Sequence, residues 1–210
     1  MRGILIAFEG IEGSGKSTQA ELLYNSLKAK PIPCIFSREP GGTEIGEQIR
    51  KVLLNPQNKK MHAKTELLLY LANRCQHTYE KIFPEIHKGT VIISDRYSDS
   101  SLAYQGKARD LSFKIVSRLN KFATAGLKPD LVILIDVPVE VGLARTREKT
   151  LDRLEQEAVK FHEKVREGYL QLAKKAPKRI KIFDGTKPIE KLEEEIYKVS
   201  MDFLEKKGII

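Results

Sequence analysis

The sequence predicts an α/β fold in which helices cover a parallel β-sheet. Five short apolar runs recur along the 210 residues, at 4–8, 34–36, 91–94, 131–135 and 180–183, and segments with helical spacing separate them. Strands that are apolar on both faces are typical of buried parallel sheets, and the regular strand and helix alternation favours one such sheet. Because a chain of this length suits one substantial core, we predict a single domain over residues 1–210.

The first apolar run leads into a phosphate-binding motif. Residues 10–18 read GIEGSGKST, which fits the pattern G-x-x-x-x-G-K-[ST] on Gly10, Gly15, Lys16 and Ser17. In this pattern backbone N–H groups cradle phosphates, while the lysine reaches phosphate and the hydroxyl reaches Mg²⁺. The predicted ATP-binding residues are Gly10, Ile11, Glu12, Gly13, Ser14, Gly15, Lys16, Ser17 and Thr18.

The second strand is followed by SREPGGT, residues 37–43. Its proline and glycines favour a turn, and Thr43 is a suitable N-cap for the next helix. Arg38 stands at the carboxyl end of the strand, where ligands bind in open α/β sheets, and its guanidinium can hold an anion bidentately. The alternative interpretation makes Arg38 and Glu39 a surface ion pair.

A helix is predicted over residues 65–79, TELLLYLANRCQHTY, with Thr65 as its cap. One stripe of this helix is apolar and comprises Leu67, Leu68, Leu71 and Cys75. A second stripe carries Glu66, Tyr70 and Arg74, which are four residues apart and therefore face the same way. Long amphipathic helices are also predicted over 154–175 and 188–207.

The third strand is followed by DRYSDSS, residues 95–101. An aspartate that closes an apolar strand in a phosphate-loop protein is the expected helper of Mg²⁺, and we assign Ser17 and Asp95 as the metal site. Arg96 adds a second guanidinium at this strand end, with a simple salt bridge as the alternative. Asp136 closes the fourth strand and is the rival metal residue, although a structural hydrogen bond is the favoured interpretation there.

A basic segment follows the fourth strand. Arg145, Arg147, Lys149 and Arg153 fall within nine residues of VGLARTREKTLDR. Such a run often marks only a solvated helix face. Because this one follows a strand end beside a phosphate site, we predict a mobile basic lid around 143–155 that closes over the phosphates.

Composition narrows the classes of partner. The net charge of +9 suits nucleotides, nucleic acid or acidic lipid. Only 7% of residues are aromatic and none is tryptophan, which leaves few residues for a platform that stacks single-stranded nucleic acid. No apolar stretch approaches the roughly 20 residues of a membrane span. Cys34 and Cys75 lack metal-ligand spacing, so we expect reduced thiols in a cytoplasmic protein that binds neither nucleic acid nor membrane.

The blocks FEGIEGSGKST, SREPGGT, LANR, DRYSDSSLAYQG and LDRLEQE, in this order, resemble the thymidylate kinase family. Members of that family make dTDP from dTMP with ATP, a step of dTTP biosynthesis. The resemblance implies a P-loop nucleoside monophosphate kinase fold, with a five-stranded parallel sheet flanked by helices. It also implies a Mg²⁺-dependent homodimer.

The resemblance further implies roles for the residues around dTMP. Arg38 and Arg96 match the residues that grip the acceptor phosphate, and Glu39 lies beside the metal site. Tyr70 and Arg74 match the aromatic ring that stacks on thymine and the arginine that bonds its edge. The implied set for dTMP is Glu12, Arg38, Glu39, Tyr70, Arg74, Arg96, Ser101, Tyr104 and Gln105. In this set Ser101 and Gln105 line the base pocket, Tyr104 excludes a ribose 2′-hydroxyl, and Glu12 lies near the 3′-hydroxyl.

The family has one form with an arginine in the phosphate loop and one with catalytic arginines in the lid. Gly13 and Ser14 leave no arginine in this loop, so the chain resembles the bacterial-type second form. The implied catalytic residues are Lys16, Arg38, Asp95, Arg96, Arg145, Arg147 and Arg153. This chain has Tyr70 where phenylalanine is usual, and its lid has Thr146, Glu148 and Lys149 where relatives are often richer in arginine, which leaves open which lid residue contacts the transferred group.

Three alternative functions remain open at this point. Another nucleoside monophosphate kinase could use the same scaffold, although Tyr104 and the base-pocket block argue against it. A phosphate-loop GTPase switch would read guanine through N-K-x-D, and the nearest string, NKKM at 58–61, lacks the aspartate. A nucleic-acid-dependent ATPase would be compatible with the general basicity and would show salt-sensitive DNA binding.

Overall fold

The computed structural model of the chain describes residues 2–146 and 152–210. Its sheet consists of β1 (Ile4–Glu9), β2 (Cys34–Arg38), β3 (Val91–Asp95), β4 (Leu131–Asp136) and β5 (Ile180–Asp184). All strands are parallel, in the order β2-β3-β1-β4-β5. Each strand overlaps one of the five predicted apolar runs, so the predicted parallel five-stranded α/β fold is confirmed.

The residues that the structure describes contain nine α-helices. They are α1 (Lys16–Lys28), α2 (Glu44–Leu54), α3 (Ala63–His77), α4 (Phe83–His87), α5 (Ser98–Ser101), α6 (Phe113–Ala123), α7 (Val139–Thr146), α8 (Val159–Lys175) and α9 (Ile189–Lys206). Two π-helical segments, Thr78–Ile82 and Leu102–Ala108, extend α3 and α5. In the part of the chain that is described, no helix combines the length and apolarity that crossing a membrane requires.

The central strand β1 is buried on both faces, as the run of apolar residues predicts. Ile6 and Phe8 pack into one core with α1 and α9, whereas Leu5 and Ala7 pack into a second core with α8 on the opposite face. Alternate side chains of a strand point to opposite faces, so a strand covered on both sides must be apolar throughout. This packing fixes the carboxyl ends of the strands at one edge of the sheet.

The register of the strands brings the predicted site residues to that edge. Phe8 of β1 pairs with Asp95 of β3, and Arg38 of β2 pairs with Asp95 from the other side. Asp136 of β4 pairs with Asp184 of β5. The residues that follow β1, β2 and β3 therefore lie side by side.

Two predicted helix starts are wrong. Helix α3 begins two residues early, and the side chain that accepts its first N–H is that of His62, from Lys64 N at 3.3 Å, rather than that of Thr65. The helix predicted from 154 begins at Val159. Residues 152–155 instead form a tight turn, because the backbone N–H of Asp152 donates to the Glu155 carboxylate and the backbone N–H of Glu155 donates to that of Asp152. The predicted Thr43 cap is confirmed, since its hydroxyl accepts from Gly46 N at 3.0 Å.

Candidate active site

A cavity of about 610 Å³ opens at the carboxyl edge of the sheet. Ligand sites of open α/β sheets lie at this edge, and the volume is in the range of small-molecule pockets. Residues 12–18 of the phosphate loop form one wall. The opposite wall includes the predicted acceptor residues Arg38, Glu39, Tyr70, Arg96, Tyr104 and Gln105.

The phosphate loop has the backbone conformation that its glycines permit. Gly13 and Gly15 have φ values of +69° and +91°, in the left-handed region that side chains disfavour. A Cβ on Gly13 would also lie 2.0 Å from the carbonyl oxygen of Gly142 on α7. The loop ends at Lys16, the first residue of α1, so the free N–H groups of the helix N-terminus face the cavity and favour an anion.

Gly10 and Ile11 do not line this cavity. Their carbonyl oxygens instead accept hydrogen bonds from the side chains of Arg96 and Lys16. Lys16 Nζ donates to Ile11 O at 3.3 Å and lies 3.5 Å from Glu12 Oε2. Arg96 Nη1 donates to Gly10 O at 3.1 Å. The loop therefore positions both a lysine and an arginine at the cavity floor.

Glu12 is the carboxylate between these two cations. Its Oε1 accepts from Arg96 Nη2 and from the Tyr104 hydroxyl at 3.0 Å. Burial opposes ionisation of Glu12, but the charges of Arg96 and Lys16 outweigh burial and lower its pKa to about 2. Glu12 is therefore a fixed negative charge on the acceptor side of the loop.

Ser17 and Asp95 form a pair of oxygen ligands. The Ser17 hydroxyl donates to Asp95 Oδ2 at 2.5 Å. Asp95 Oδ1 is buried and has no hydrogen-bond partner among residues 2–146 and 152–210. A hydroxyl beside a carboxylate with a free oxygen fits Mg²⁺, which prefers oxygen ligands and keeps several waters.

The rival aspartate is used elsewhere. Asp136 accepts two hydrogen bonds from the Arg166 guanidinium, at 2.7 and 2.9 Å. This bidentate pair joins the end of β4 to α8, in agreement with the structural interpretation of Asp136.

Arg96 is held by donors and acceptors from several parts of the chain. It has a positive φ of 70°, and its backbone N–H donates to Phe8 O at 2.9 Å. Its guanidinium contacts Glu12 and also the hydroxyls of Ser100, Tyr104 and Tyr169, the last at 3.1 Å. Burial lowers the pKa of Arg96, but Glu12, Tyr104, Tyr169 and Asp95 together outweigh burial and raise it well above the ordinary value. Arg96 is thus a permanent, oriented cation, and the contribution of Tyr169 was not predicted.

Glu9, the last residue of β1, is a further unpredicted carboxylate behind Arg96. It is fully buried and accepts from the backbone N–H groups of Tyr97 and Ser100, at 2.9 and 3.2 Å. The hydroxyls of Ser100 and Tyr169 donate to its other oxygen, at 2.6 and 2.7 Å. Burial and the nearby Asp99 raise the pKa of Glu9 to about 7. Its strand-end position, the signal used for Asp95, could have identified it.

Glu9→Gln is expected to flatten the dependence of stability on pH. Because the folded pKa is near 7 and the ordinary value is 4.5, the native state keeps this proton between those pH values while the unfolded state releases it. The free energy of unfolding therefore falls as pH rises through this window, by about 3 kcal/mol at most. Above about pH 7, Glu9 adds no further dependence on pH. Urea unfolding at pH 5 and pH 7.5 measures the difference between parent and variant.

Glu194→Gln, which changes an exposed carboxylate on α9, controls for the loss of one negative charge. Equal pH dependence in the parent and in Glu9→Gln would show that Glu9 is ionised throughout this range.

The acceptor side combines aromatic and basic side chains. Tyr70 and Tyr104 are buried at its wall, and Gln105 lies beside them. Arg38 is half exposed and pairs with Glu47 of α2 at 3.3 Å, so the predicted strand-end arginine has an ion-pair partner other than Glu39. Arg50 of α2 also lines the cavity, although no sequence motif indicated it.

Arg74 and Ser101 lie behind the cavity wall, in contrast to the predicted contact of Arg74 with the base edge. The Arg74 guanidinium is buried and donates to Glu39 Oε2 at 2.8 Å, and to Ser101, Asn120 and the carbonyl of Tyr97. Within the described ranges these four bonds use four of the five N–H groups of an arginine. Arg74 thus orients Glu39, whose other oxygen pairs with the His77 ring.

The predicted lid arginines differ in their surroundings. Arg145 lines the cavity and donates to Gly185 O at 3.0 Å. Arg147, with Lys149, lies outside the described residues. The prediction for Arg153 disagrees with the structure: this side chain is buried, donates to Leu53 O at 2.9 Å and pairs with Glu66 at 2.7 Å. Its charge is neutralised by α3 instead of facing the phosphate loop.

Known proteins resemble this chain in sequence and in fold. A family model described as thymidylate kinase matches residues 8–196. A thymidylate kinase of Kosmotoga olearia is 46% identical over 98% of this chain and 99% of its own length. One from Carboxydothermus hydrogenoformans is 50% identical over 91% and 94%. The crystal structure of thymidylate kinase from Ehrlichia chaffeensis has a TM-score of 0.78 and 30% identity, covering 96% of this chain and 99% of that one.

Proposed function

This chain belongs to the thymidylate kinase family and is an ATP-dependent kinase that converts dTMP to dTDP, and we propose which of its residues carry out the reaction. The observation that supports the assignment most directly is the arrangement of Lys16 and Arg96 on either side of Glu12 at the cavity floor. ATP phosphates bind on the phosphate loop, and dTMP binds on the wall formed by Tyr70, Tyr104 and Gln105.

The chemical problem in this reaction is charge. A monophosphate carries about −1.5 to −2 at pH 7, so its oxygen attacks without a general base. The two substrates are anions that repel each other, and catalysis therefore requires in-line positioning and neutralisation of the phosphoryl oxygens. Lys16 and the N-terminus of α1 stabilise the donor side. Arg38 and Arg96 hold the acceptor phosphate, and Glu39 lies beside them.

Ser17 and Asp95 hold Mg²⁺. An ion held there would offset the negative charge that develops on the phosphoryl oxygens during transfer. The free Oδ1 of Asp95 and the adjacent Ser17 hydroxyl support this assignment. Ser17 is the hydroxyl that the phosphate-loop pattern assigns to the metal, and Asp95 orients it.

The thymine pocket is formed by the side chains that face the cavity. Tyr70 stacks on the base. Gln105 contacts its edge, and Ser101 supports the pocket from behind the wall through its hydrogen bond with Arg74. Tyr104 excludes a ribose 2′-hydroxyl, because its own hydroxyl is fixed between Arg96 and Glu12. Glu12 lies near the sugar 3′-hydroxyl.

We propose that the segment around 143–155 acts as a lid over the ATP phosphates; its residues 147–151 lie outside the described residues. Arg145 supports this assignment, since it lies on the cavity wall next to the carbonyl of Gly13 in the phosphate loop. We assign contact with the transferred group to Arg145 and Arg147. Arg153 belongs to the same segment but acts as an anchor for it.

Arg96→Ala is expected to lower kcat by roughly 10²-fold, because an oriented cation that faces the acceptor phosphate is lost. Steady-state kinetics with saturating ATP, Mg²⁺ and dTMP measure the change, and circular dichroism establishes that the variant is folded. Lys191→Ala removes an exposed cation on α9 that does not line the cavity, and it should leave kcat unchanged. A folded Arg96→Ala enzyme with parental turnover would exclude Arg96 from the mechanism.

The acceptor assignment is tested with a panel of nucleoside monophosphates. The enzyme receives ATP and Mg²⁺ with dTMP, dUMP, dCMP, dAMP, dGMP or UMP, and ADP release is followed. We expect dTMP to be preferred by kcat/KM, and Gln105→Ala to reduce its advantage over dCMP. Equal use of all acceptors would contradict the pocket assignment and leave only the ATP site.

We also propose that the enzyme is a cytoplasmic homodimer. Helices α3 and α6 pack side by side and expose a row of large apolar side chains, with Leu68 58%, Ile115 56% and Phe122 83% exposed. Apolar patches of this kind mark protein interfaces. Leu68 was predicted to share the apolar stripe of α3, and its exposure separates it from the buried Leu67 and Leu71.

Phe122→Asp is expected to convert the dimer to a monomer, because the charge would be buried without a partner in the interface. Light scattering coupled to size-exclusion chromatography measures the mass. Lys198→Asp on α9 introduces the same side chain on a distant exposed position and should remain dimeric. A monomeric parent protein would refute the proposed assembly.

A further inference from the structure

Glu66 of α3 lies behind the cavity wall, at the centre of a buried polar cluster. The residue is fully buried. Its Oε1 accepts from Gln105 Nε2 at 2.9 Å and from Arg109 Nε at 3.3 Å. Its Oε2 accepts from Arg109 Nη2 at 3.0 Å and lies 2.7 Å from Arg153 Nη2. These four residues are called the Glu66 cluster.

The members of the Glu66 cluster come from two functional parts of the cavity. Gln105 lines the acceptor side. Arg153 belongs to residues 152–157, here called the lid foot. Asp152, Leu154 and Glu155 of this segment line the cavity, whereas Arg153 itself does not. Both parts therefore meet at one carboxylate.

Further bonds fix the lid foot to the same region. The backbone N–H of Arg153 donates to Leu54 O at 3.1 Å, and its Nε donates to Leu53 O at 2.9 Å, both at the end of α2. Arg109 also donates to the carboxylate of Glu157 at the other end of the lid foot. The lid foot is thus attached near its start to the end of α2, through Arg153, and at its other end to Arg109, which contacts Glu66.

We propose that Glu66 is a positioning residue that couples the acceptor pocket to the lid foot. The proposal rests on the proposed function, since that assigns Gln105 to the thymine pocket. Arg153 is buried and pairs with Glu66, so separating the two inside the protein would leave the guanidinium charge uncompensated. When a bound base fixes Gln105, it fixes Glu66 Oε1, and Oε2 then holds Arg153 and the lid foot in one position.

A double-mutant cycle tests this coupling. Gln105→Ala, Arg153→Met and the double variant are compared by kcat/KM for dTMP, in the parent and in a Glu66→Gln background. Gln105 and Arg153 share Glu66 as a partner, and independent sites would give multiplicative effects. We expect the double variant to differ from the product of the single effects by about fivefold or more in the parent, and by less than about twofold with Glu66→Gln. Multiplicative effects in the parent would overturn the proposal.

A matched control separates coupling from a general loss of stability. Arg166→Met breaks the ion pair of another arginine, on α8, with Asp136 and does not involve the Glu66 cluster. Its cycle with Gln105→Ala should be multiplicative, and the same coupling there would contradict a specific role for Glu66. If Arg153→Met does not fold, Arg153→Lys replaces it in the cycle, with coupling of the same sign expected.

Failure of the coupling and failure of the proposed function give different results. Lys16→Ala and Arg96→Ala change no member of the Glu66 cluster, so parental turnover in both would refute the site assignment alone. Reduced turnover in both, together with multiplicative effects in the Gln105 and Arg153 cycle, would refute the coupling alone. Separate kcat and KM values distinguish positioning from a purely structural role. A general loss of folded protein would lower the apparent kcat and leave the KM for dTMP unchanged. We expect Arg153→Met to raise the KM for dTMP although Arg153 does not line the acceptor wall.

Discussion

Lys16→Ala is expected to lower kcat by roughly 10²- to 10³-fold while leaving the protein folded. Lys16 Nζ lies at the cavity floor, where its contacts in the described chain are Glu12 and the carbonyl of Ile11. The ammonium stabilises charge that increases on the phosphate oxygens during transfer, so its loss raises the barrier more than it weakens ATP binding. Steady-state kcat and KM with saturating Mg²⁺, ATP and dTMP measure both effects.

The fold should tolerate this change because Glu12 keeps its stronger partners. Arg96 and the Tyr104 hydroxyl still contact Glu12 after Lys16 is removed. Lys28→Ala, at the exposed end of the same helix, is the control and should retain parental kcat. An unchanged kcat in Lys16→Ala would show that the phosphate loop acts without its lysine.

The sheet and the order of its functional loops could be predicted because they depend on local patterns. A parallel strand that is buried on both faces must be apolar throughout, and the residues after each strand must lie at one edge of the sheet. The phosphate loop, Arg38 and Asp95 were found in this way. The same reasoning applied to β1 would have identified Glu9, but the predicted apolar run ended at residue 8, one residue before the end of the strand.

The buried ion pairs could not be predicted, since they join residues that are distant in sequence. Arg74 and Arg153 are recognisable as basic residues near functional segments, but the sequence does not show that Glu39 and Glu66 will neutralise them. Arg153 illustrates the consequence, because its place in a basic run suggested a phosphate contact whereas its partner is a carboxylate of α3. Glu66, Tyr70 and Arg74 were predicted to share one stripe of the helix, and the structure buries all three. Neither that burial nor the partners of the two charged members were predicted.

Arg74→Ala is expected to lower the free energy of unfolding by about 3–5 kcal/mol, the cost of breaking a buried ion pair by removing one partner. The guanidinium is 1% exposed, and its loss would leave the buried oxygens of Ser101 and Asn120 without a donor. Among residues 2–146 and 152–210, Glu39 would keep only the His77 ring, 2.9 Å from its other oxygen, as a partner for its charge. Urea unfolding measures the change. Lys191→Ala, which removes an exposed cation on α9, is the control and should alter stability by less than about 0.5 kcal/mol.

This expectation also changes how base discrimination should be tested. Four of the five N–H groups of Arg74 are bonded within the described protein. A loss of preference for dTMP in Arg74→Ala could therefore have two causes, the loss of a contact with the base or the disruption of the side chains behind the cavity wall. Gln105→Ala separates the two effects, because Gln105 reaches the cavity directly. If Arg74→Ala were as stable as the parent and still lost its preference for thymine, Arg74 would act at the base, and its buried bonds would contribute little to the stability of the fold.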